Sequence, residues 1–143
     1  MPGWQKVLLI MLAVLVVFIV SAAYLGVRWV ESHRGELKVD VMKAKTEANA
    51  FGQGKDPAAC VDETFARLDR CNGLMCQLEM RIFLTTCVRA SNVPEGFCTS
   101  IPKGDQLVAG IRWRAAECKR WSRQNDQRCQ AVIAGLQDYC ERR

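Results

Sequence analysis

All eight cysteines follow residue 59, and five of the seven gaps between them are eleven residues long. Cys60, Cys71, Cys76, Cys87, Cys98, Cys118, Cys129 and Cys140 depart from that spacing only at 71 to 76, a gap of five, and at 98 to 118, a gap of twenty. Eleven residues is about three helical turns, so each such pair shares a helix face or mirrors across a helical hairpin. The two exceptions then mark a turn and a connector. An even number of cysteines in a small domain reads as a disulfide framework, which belongs to an oxidising compartment.

Ahead of the cysteines, Val7 to Val27 runs for twenty-one residues without a charge. At the helical rise that length spans about 30 Å of hydrocarbon, enough to cross a bilayer once. Trp4 and Trp29, with Tyr24 one turn inside, stand where amphipathic rings favour the headgroup regions. A cleaved signal peptide is the competing reading, with Lys6 as its basic start and Ser21-Ala22-Ala23 as a small-residue cleavage site. The apolar run continues past that site, which favours a retained anchor. Orientation is contested: Arg28, Arg34, Lys38, Lys43 and Lys45 follow the span while Lys6 alone precedes it, which would keep the C-terminal part in the cytoplasm. Acids at Glu31, Glu36, Asp40 and Glu47 dilute that signal, and the cysteines argue for the periplasm or cell exterior.

These boundaries divide the chain into a short tail (1–6), a transmembrane helix (7–27), a helical stalk (28–51), a linker (52–57) and a cysteine-rich helical domain (58–143). In the stalk, Val27, Val30, Arg34, Leu37, Val41, Ala44, Ala48 and Phe51 alternate by threes and fours, a heptad pattern. It is either a seam for a parallel homodimer or the inner face of one helix lying on its own domain. Gly52 to Pro57 should end it, since glycine and the residue before proline both leave the helical region.

Asp56 is a natural N-cap and Pro57 a natural first residue for a helix running to Leu68 or Cys71. Asn72-Gly73 turns the chain, and a second helix covers roughly Leu74 to Ala90. In an antiparallel hairpin, facing residues have constant summed numbers, and Cys60 with Cys87 sums to the same value as Cys71 with Cys76. Phe65, Leu68, Met80 and Phe83 are the candidate packing residues between them. Further helices from about Asp105 to Trp121 and Gln124 to Tyr139 place Cys118 opposite Cys129. The position that would face Cys140 is Leu107, so Cys98, on the connector, is the geometrically preferred partner of Cys140; eight cysteines allow 105 pairings, and bridges between the halves stay open. The expected fold is therefore all-α: a transmembrane helix extended into a stalk, then two disulfide-stapled antiparallel hairpins. A domain of this size is near the limit at which a core suffices alone, and disulfides make up the deficit.

The paired cysteines of residues 60–87 resemble the coiled-coil-helix-coiled-coil-helix family, in which two disulfides staple two antiparallel helices. The resemblance implies the stapling and nothing about activity. Those proteins typically lack an N-terminal membrane anchor, and the second half departs from the pattern at Leu107.

Enzymatic machinery is not visible. The chain has no Cys-x-x-Cys, and Cys71 with Cys76 is its closest pair, a spacing unsuited to zinc and to haem attachment. The sole histidine, His33, lies in the stalk, so no histidine-activated nucleophile can form within the domain. Asp62, Glu63, Asp69 and Glu79 sit among arginines at helical spacings, Glu63 with Arg67 and Asp69 near Arg70, as solvated ion-paired faces do. No catalytic residue, metal site or cofactor is expected.

One surface stands out. On the third domain helix, Leu107, Ile111 and Cys118 cluster on one side, flanked by Ala115 and Trp121. Arg112, Lys119, Arg120 and Arg123 gather opposite, with Trp113 at their edge. A tryptophan beside arginines is a common binding composition. It suits an acidic protein, anionic lipid headgroups or a polyanionic envelope polymer; alternatively the face is solvated and Trp113 packs on the first hairpin. Residues 105–143 hold eight Lys or Arg against five acids, too small an excess for nucleic acid. The expected function is that of a non-catalytic binding, scaffolding or accessory protein of the cell envelope, held in the bilayer through residues 7–27. The alternatives are a thiol-disulfide or metal-handling protein using Cys71 and Cys76, an accessory subunit of a larger membrane complex, and a form secreted after signal-peptide cleavage.

Overall fold

Apolar periodicity and proline and glycine punctuation produce five α-helices and one 3₁₀ helix, with no strand among the described residues. The computed structural model describes the backbone of residues 3–143 and, apart from positions 33, 34, 36, 37 and 39, their side chains. Met1 and Pro2 of the tail, His33, and the seam positions Arg34 and Leu37 lie outside the described residues or side chains. The chain forms two units, Met1–Val39 and Asp40–Arg143. Helix α1, Gly3–Gly52, contributes to both.

In the first unit the described apolar side chains are exposed, Leu9, Val16 and Phe18 among them. Trp4–Ser32 is the one stretch among the described residues that is long and apolar enough to cross a membrane, and a signal sequence would have the same character. Near its end the Arg28 guanidinium donates to the Tyr24 hydroxyl at 3.1 Å.

The second unit combines the last turns of α1 with α2 (Pro57–Leu68), α3 (Leu74–Ala90), the 3₁₀ helix Phe97–Ser100, α4 (Leu107–Arg120) and α5 (Gln127–Glu141). Helix α2 begins as its sequence dictates: the Asp56 carboxylate accepts from the Ala59 N–H at 2.8 Å, and Pro57 occupies the first turn. Disulfides Cys60–Cys87 and Cys71–Cys76 staple α2 to α3 at the open end and at the turn. Cys118–Cys129 joins α4 to α5, and Cys98–Cys140 ties the 3₁₀ helix to the end of α5. The hairpins lie side by side. Arg128, at the start of α5, donates to the carbonyls of Leu68 and Cys71, while Gly135 packs on Arg81 to Thr85 and Tyr139 meets Phe97 edge-on. Helices α3 and α5 therefore run in the same direction, and both hairpin turns lie at one end.

Phe65, Leu68, Met80, Phe83, Leu84, Val88, Val132, Ile133 and Leu136 form the core, joined by the half-cystines 60, 87, 118 and 129. Each large apolar side chain so buried contributes about 1.5–3 kcal/mol. The α3–α5 contact is close because residue 135 is glycine. The Thr85 hydroxyl donates to the Gly135 carbonyl at 3.0 Å, a bond that this proximity permits.

Ala44 and Ala48 are buried and Phe51 packs on the core, its ring 6.5 Å from that of Phe83, so these heptad positions form the inner face of a helix lying on its own domain, the second of the two arrangements the pattern allows. Two sequence expectations change. Helices α4 and α5 start later than expected, at Leu107 and Gln127; at α5 the start is set by Asp126, whose side chain caps the helix by accepting from the Arg128 N–H at 3.0 Å. Finally, α4 is rotated: Leu107, Val108 and Ile111 are exposed, and the helix turns Gly110, Trp113, Glu117, Cys118 and Trp121 inward. Tryptophan burial decides this orientation, since two indoles carry more apolar area than the Leu107–Ile111 pair.

Candidate functional site

Trp113 and Glu117 on α4 and Trp121 at its C-cap recur every four residues and so share one face. That face forms one wall of a groove of about 610 Å³. The opposite wall comes from the start of α2, with Asp56, Pro57 and Val61, and from the connector residues Asn92 and Pro94 to Phe97. Ile101 and Leu136 complete an apolar floor. Connector and floor are held together by the Cys98–Cys140 disulfide and by the Gln137 amide, which donates to the Pro102 carbonyl at 3.0 Å. Gly110 leaves the room that this amide needs, a Cβ there falling 2.9 Å from its nitrogen.

The groove is aromatic and mostly acidic. Asp56, Glu95 and Glu117 line it against a single cation, Arg120. The Arg120 guanidinium donates to Glu117 Oε1 at 3.3 Å and lies 6.0 Å from the centre of the Trp121 ring. Trp121 in turn packs edge-on against Phe65, with centroids 6.1 Å apart.

The five residues singled out on the third domain helix are not brought together. Trp113 and Arg120 line the groove, Trp113 half-buried against the core rather than standing exposed. Arg112 and Lys119 are exposed outside it. Arg123 is used internally: its guanidinium lies 4.6 Å over the Phe65 ring, donates twice to Asp69, and reaches Asp126 at 3.1 Å. The backbone accounts for this position. Helix α4 ends in a Schellman turn, with Arg123 N–H to Cys118 C=O at 2.7 Å and Ser122 N–H to Lys119 C=O at 3.0 Å, and Ser122 takes a left-handed φ of 59°. That turn directs Arg123 back across α2. The expected neighbour of Asp69, Arg70, instead donates to the Ala66 carbonyl.

A second arginine plays the same part near α1. Arg67 lies 4.3 Å over the buried Phe83 ring and pairs with Glu63 at 2.8 Å and with Glu47. The hydrogen bond from Arg123 holds the Asp69 carboxyl below its ordinary range, and that from Arg128 does the same for Asp126. Arg67 lowers Glu47 likewise. These groups fasten helices together.

All eight cysteines are paired, so no thiolate is present to attack or ligate while the bridges stand. Among the described residues no cluster of three His, Cys, Asp or Glu side chains could hold a metal ion. In the sequence Glu117 is marked as a groove residue only by its four-residue spacing from Trp113 and Trp121, and no local pattern marks Glu95 or Phe97, which lie on the connector. Comparison with protein-family models, curated proteins and solved structures finds no match to this chain.

Proposed function

We propose that this chain is a membrane-anchored, extracytoplasmic binding or scaffolding protein of the cell envelope that works without catalysis. The observation that carries the reading is the pairing of every cysteine within a small helical unit, in a chain that also holds one helix fit to cross a membrane. Disulfides of this density persist where the surroundings are oxidising. The groove between α2 and α4 is the binding site in this reading, because its indoles, carboxylates and exposed Asn92 amide can recognise a partner without chemistry. From the stapled-hairpin family only the fastening device is carried over.

Labelling intact cells with a membrane-impermeant maleimide, before and after reduction, tests the placement. Labelling that requires reduction and no permeabilisation is expected, in a chain whose N-terminal peptide is retained in the membrane fraction. Free thiols reached only after permeabilisation would place the domain in the cytoplasm and overturn it. A mature chain beginning near Ala23 would replace the anchor by a secreted form.

A further inference from the structure

We infer that the groove between α2 and α4 receives an extended protein segment in which arginine or lysine alternates with apolar side chains. The inference rests on the binding reading above and adds the chemistry of the partner. Asp56 and Glu95 stand on the wall opposite Glu117 and its ion-pair partner Arg120, above a floor of Ile101 and Leu136, so three carboxylates line the groove against one guanidinium. The chain as a whole carries a formal charge of +5, so this acidic concavity departs from the protein's own balance. An anionic partner, the chemistry suggested by the arginines of α4 in the sequence, would meet repulsion here. Arg120 shows how the groove accommodates a cation: one carboxylate, Glu117, holds the guanidinium near the Trp121 ring. Trp113 and Phe97 offer further aromatic surface beside Glu95, which makes no ion pair among the described residues. Cations over aromatic faces and beside carboxylates gain from both contacts. Apolar neighbours of the incoming cation would cover the floor, and the Asn92 amide can pair with a peptide group. The volume falls within the range of about 300–1,000 Å³ found for ligand clefts.

The test uses the purified full chain in neutral dodecyl-maltoside micelles, carrying Trp4→Phe and Trp29→Phe so that Trp113 and Trp121 are the only fluorophores of their kind. Two peptides serve as probes: acetyl-Leu-Arg-Ile-Arg-Leu-amide and its counterpart with glutamate in place of arginine. The arginine peptide should shift the emission saturably and bind at least tenfold more tightly than the glutamate peptide. Its affinity should fall severalfold when salt is raised from about 0.1 to 0.5 M, since charge attraction is screened. Glu95→Lys, an exposed substitution, should weaken it at least fivefold with an unchanged near-ultraviolet spectrum. Equal or tighter binding of the glutamate peptide, no response to either peptide, or an undiminished response in Glu95→Lys would overturn the inference. Because cell labelling tests the compartment independently, a flat titration refutes the partner chemistry and leaves the placement standing.

Discussion

The four disulfides should contribute unequally, and removing them one pair at a time, as Cys→Ala double variants, tests how the domain is held. Their sequence separations are 42 for Cys98–Cys140, 27 for Cys60–Cys87, 11 for Cys118–Cys129 and 5 for Cys71–Cys76. In the chain-entropy picture these loops give about 4.0, 3.6, 2.8 and 2.2 kcal/mol in that order. Each long loop encloses a short one that stays closed when the long one is opened, which brings both outer bridges to about 3.5 kcal/mol. Burial then separates them. Cys60 and Cys87 are fully enclosed, and Cys118 and Cys129 nearly so, whereas Cys98 and Cys140 are half-buried. Deleting enclosed sulfur atoms adds a cavity cost of about 1–2 kcal/mol. Cys60→Ala/Cys87→Ala should therefore cost most, about 5 kcal/mol, and Cys71→Ala/Cys76→Ala least, about 2 kcal/mol. For a domain of this size the difference corresponds to roughly 10–20 °C between their melting temperatures. The assay is thermal unfolding of the full chain in neutral micelles, followed by near-ultraviolet circular dichroism. Equal losses from those two pairs would refute the combination of loop length and burial.

Three further outcomes follow from local geometry. Gly135→Ala should destabilise the domain by about 1–3 kcal/mol in the same melt although alanine favours helix, because its Cβ would fall 2.8 Å from the Arg81 carbonyl oxygen and force α3 and α5 apart. Ser122→Gly should stabilise by about 0.5–1 kcal/mol, by relieving the left-handed φ of 59° while keeping the Schellman bonds. The depressed carboxyls of Asp69 and Asp126 contribute stability that is present above about pH 4 and is lost as pH falls through their lowered folded-state values. Asp126→Asn keeps the capping oxygen but removes the titration, so its acid denaturation should be shallower than that of the parent in a pH series of urea melts.

Local signals made the first hairpin legible. Asp56 and Pro57 define the start of α2, Asn72-Gly73 defines the turn, and the cysteine sums set which residues face each other; the structure joins Cys60 to Cys87, Cys71 to Cys76 and Cys118 to Cys129 at those levels, and also Cys98 to Cys140, which no sum relates. Its packing residues Phe65, Leu68, Met80 and Phe83 are buried. The roles of the arginines were not legible, because their partners are remote in sequence. Arg123 stacks on Phe65 and pairs with Asp69 across the two hairpins, contacts that no spacing within α4 announces. On a helical wheel Arg123 joined Arg112 and Lys119 on an outer face. The non-helical backbone after Trp121 breaks that projection, since a wheel applies only while the helix continues.

The rotation of α4 shows which information a cysteine pair carries. The sum rule fixes register, the level at which Cys118 meets Cys129, and their Cα atoms are 6.0 Å apart. It does not fix which side of each helix faces its neighbour, because a disulfide can bridge from the edge of an interface as well as from its centre. Taking Cys118 as central puts Leu107 and Ile111 inside. The observed inner face, centred near Gly110 and Glu117, lies about 80° away at 100° per residue, with Cys118 at its margin. Burial of Trp113 and Trp121 favours that rotation, and it carries Glu117 and Arg120 into the groove wall. The acidic aromatic groove is thus a consequence of indole packing, whereas Cys118–Cys129 sets only the level of α4 against α5 and Cys98–Cys140 holds the connector to the end of α5.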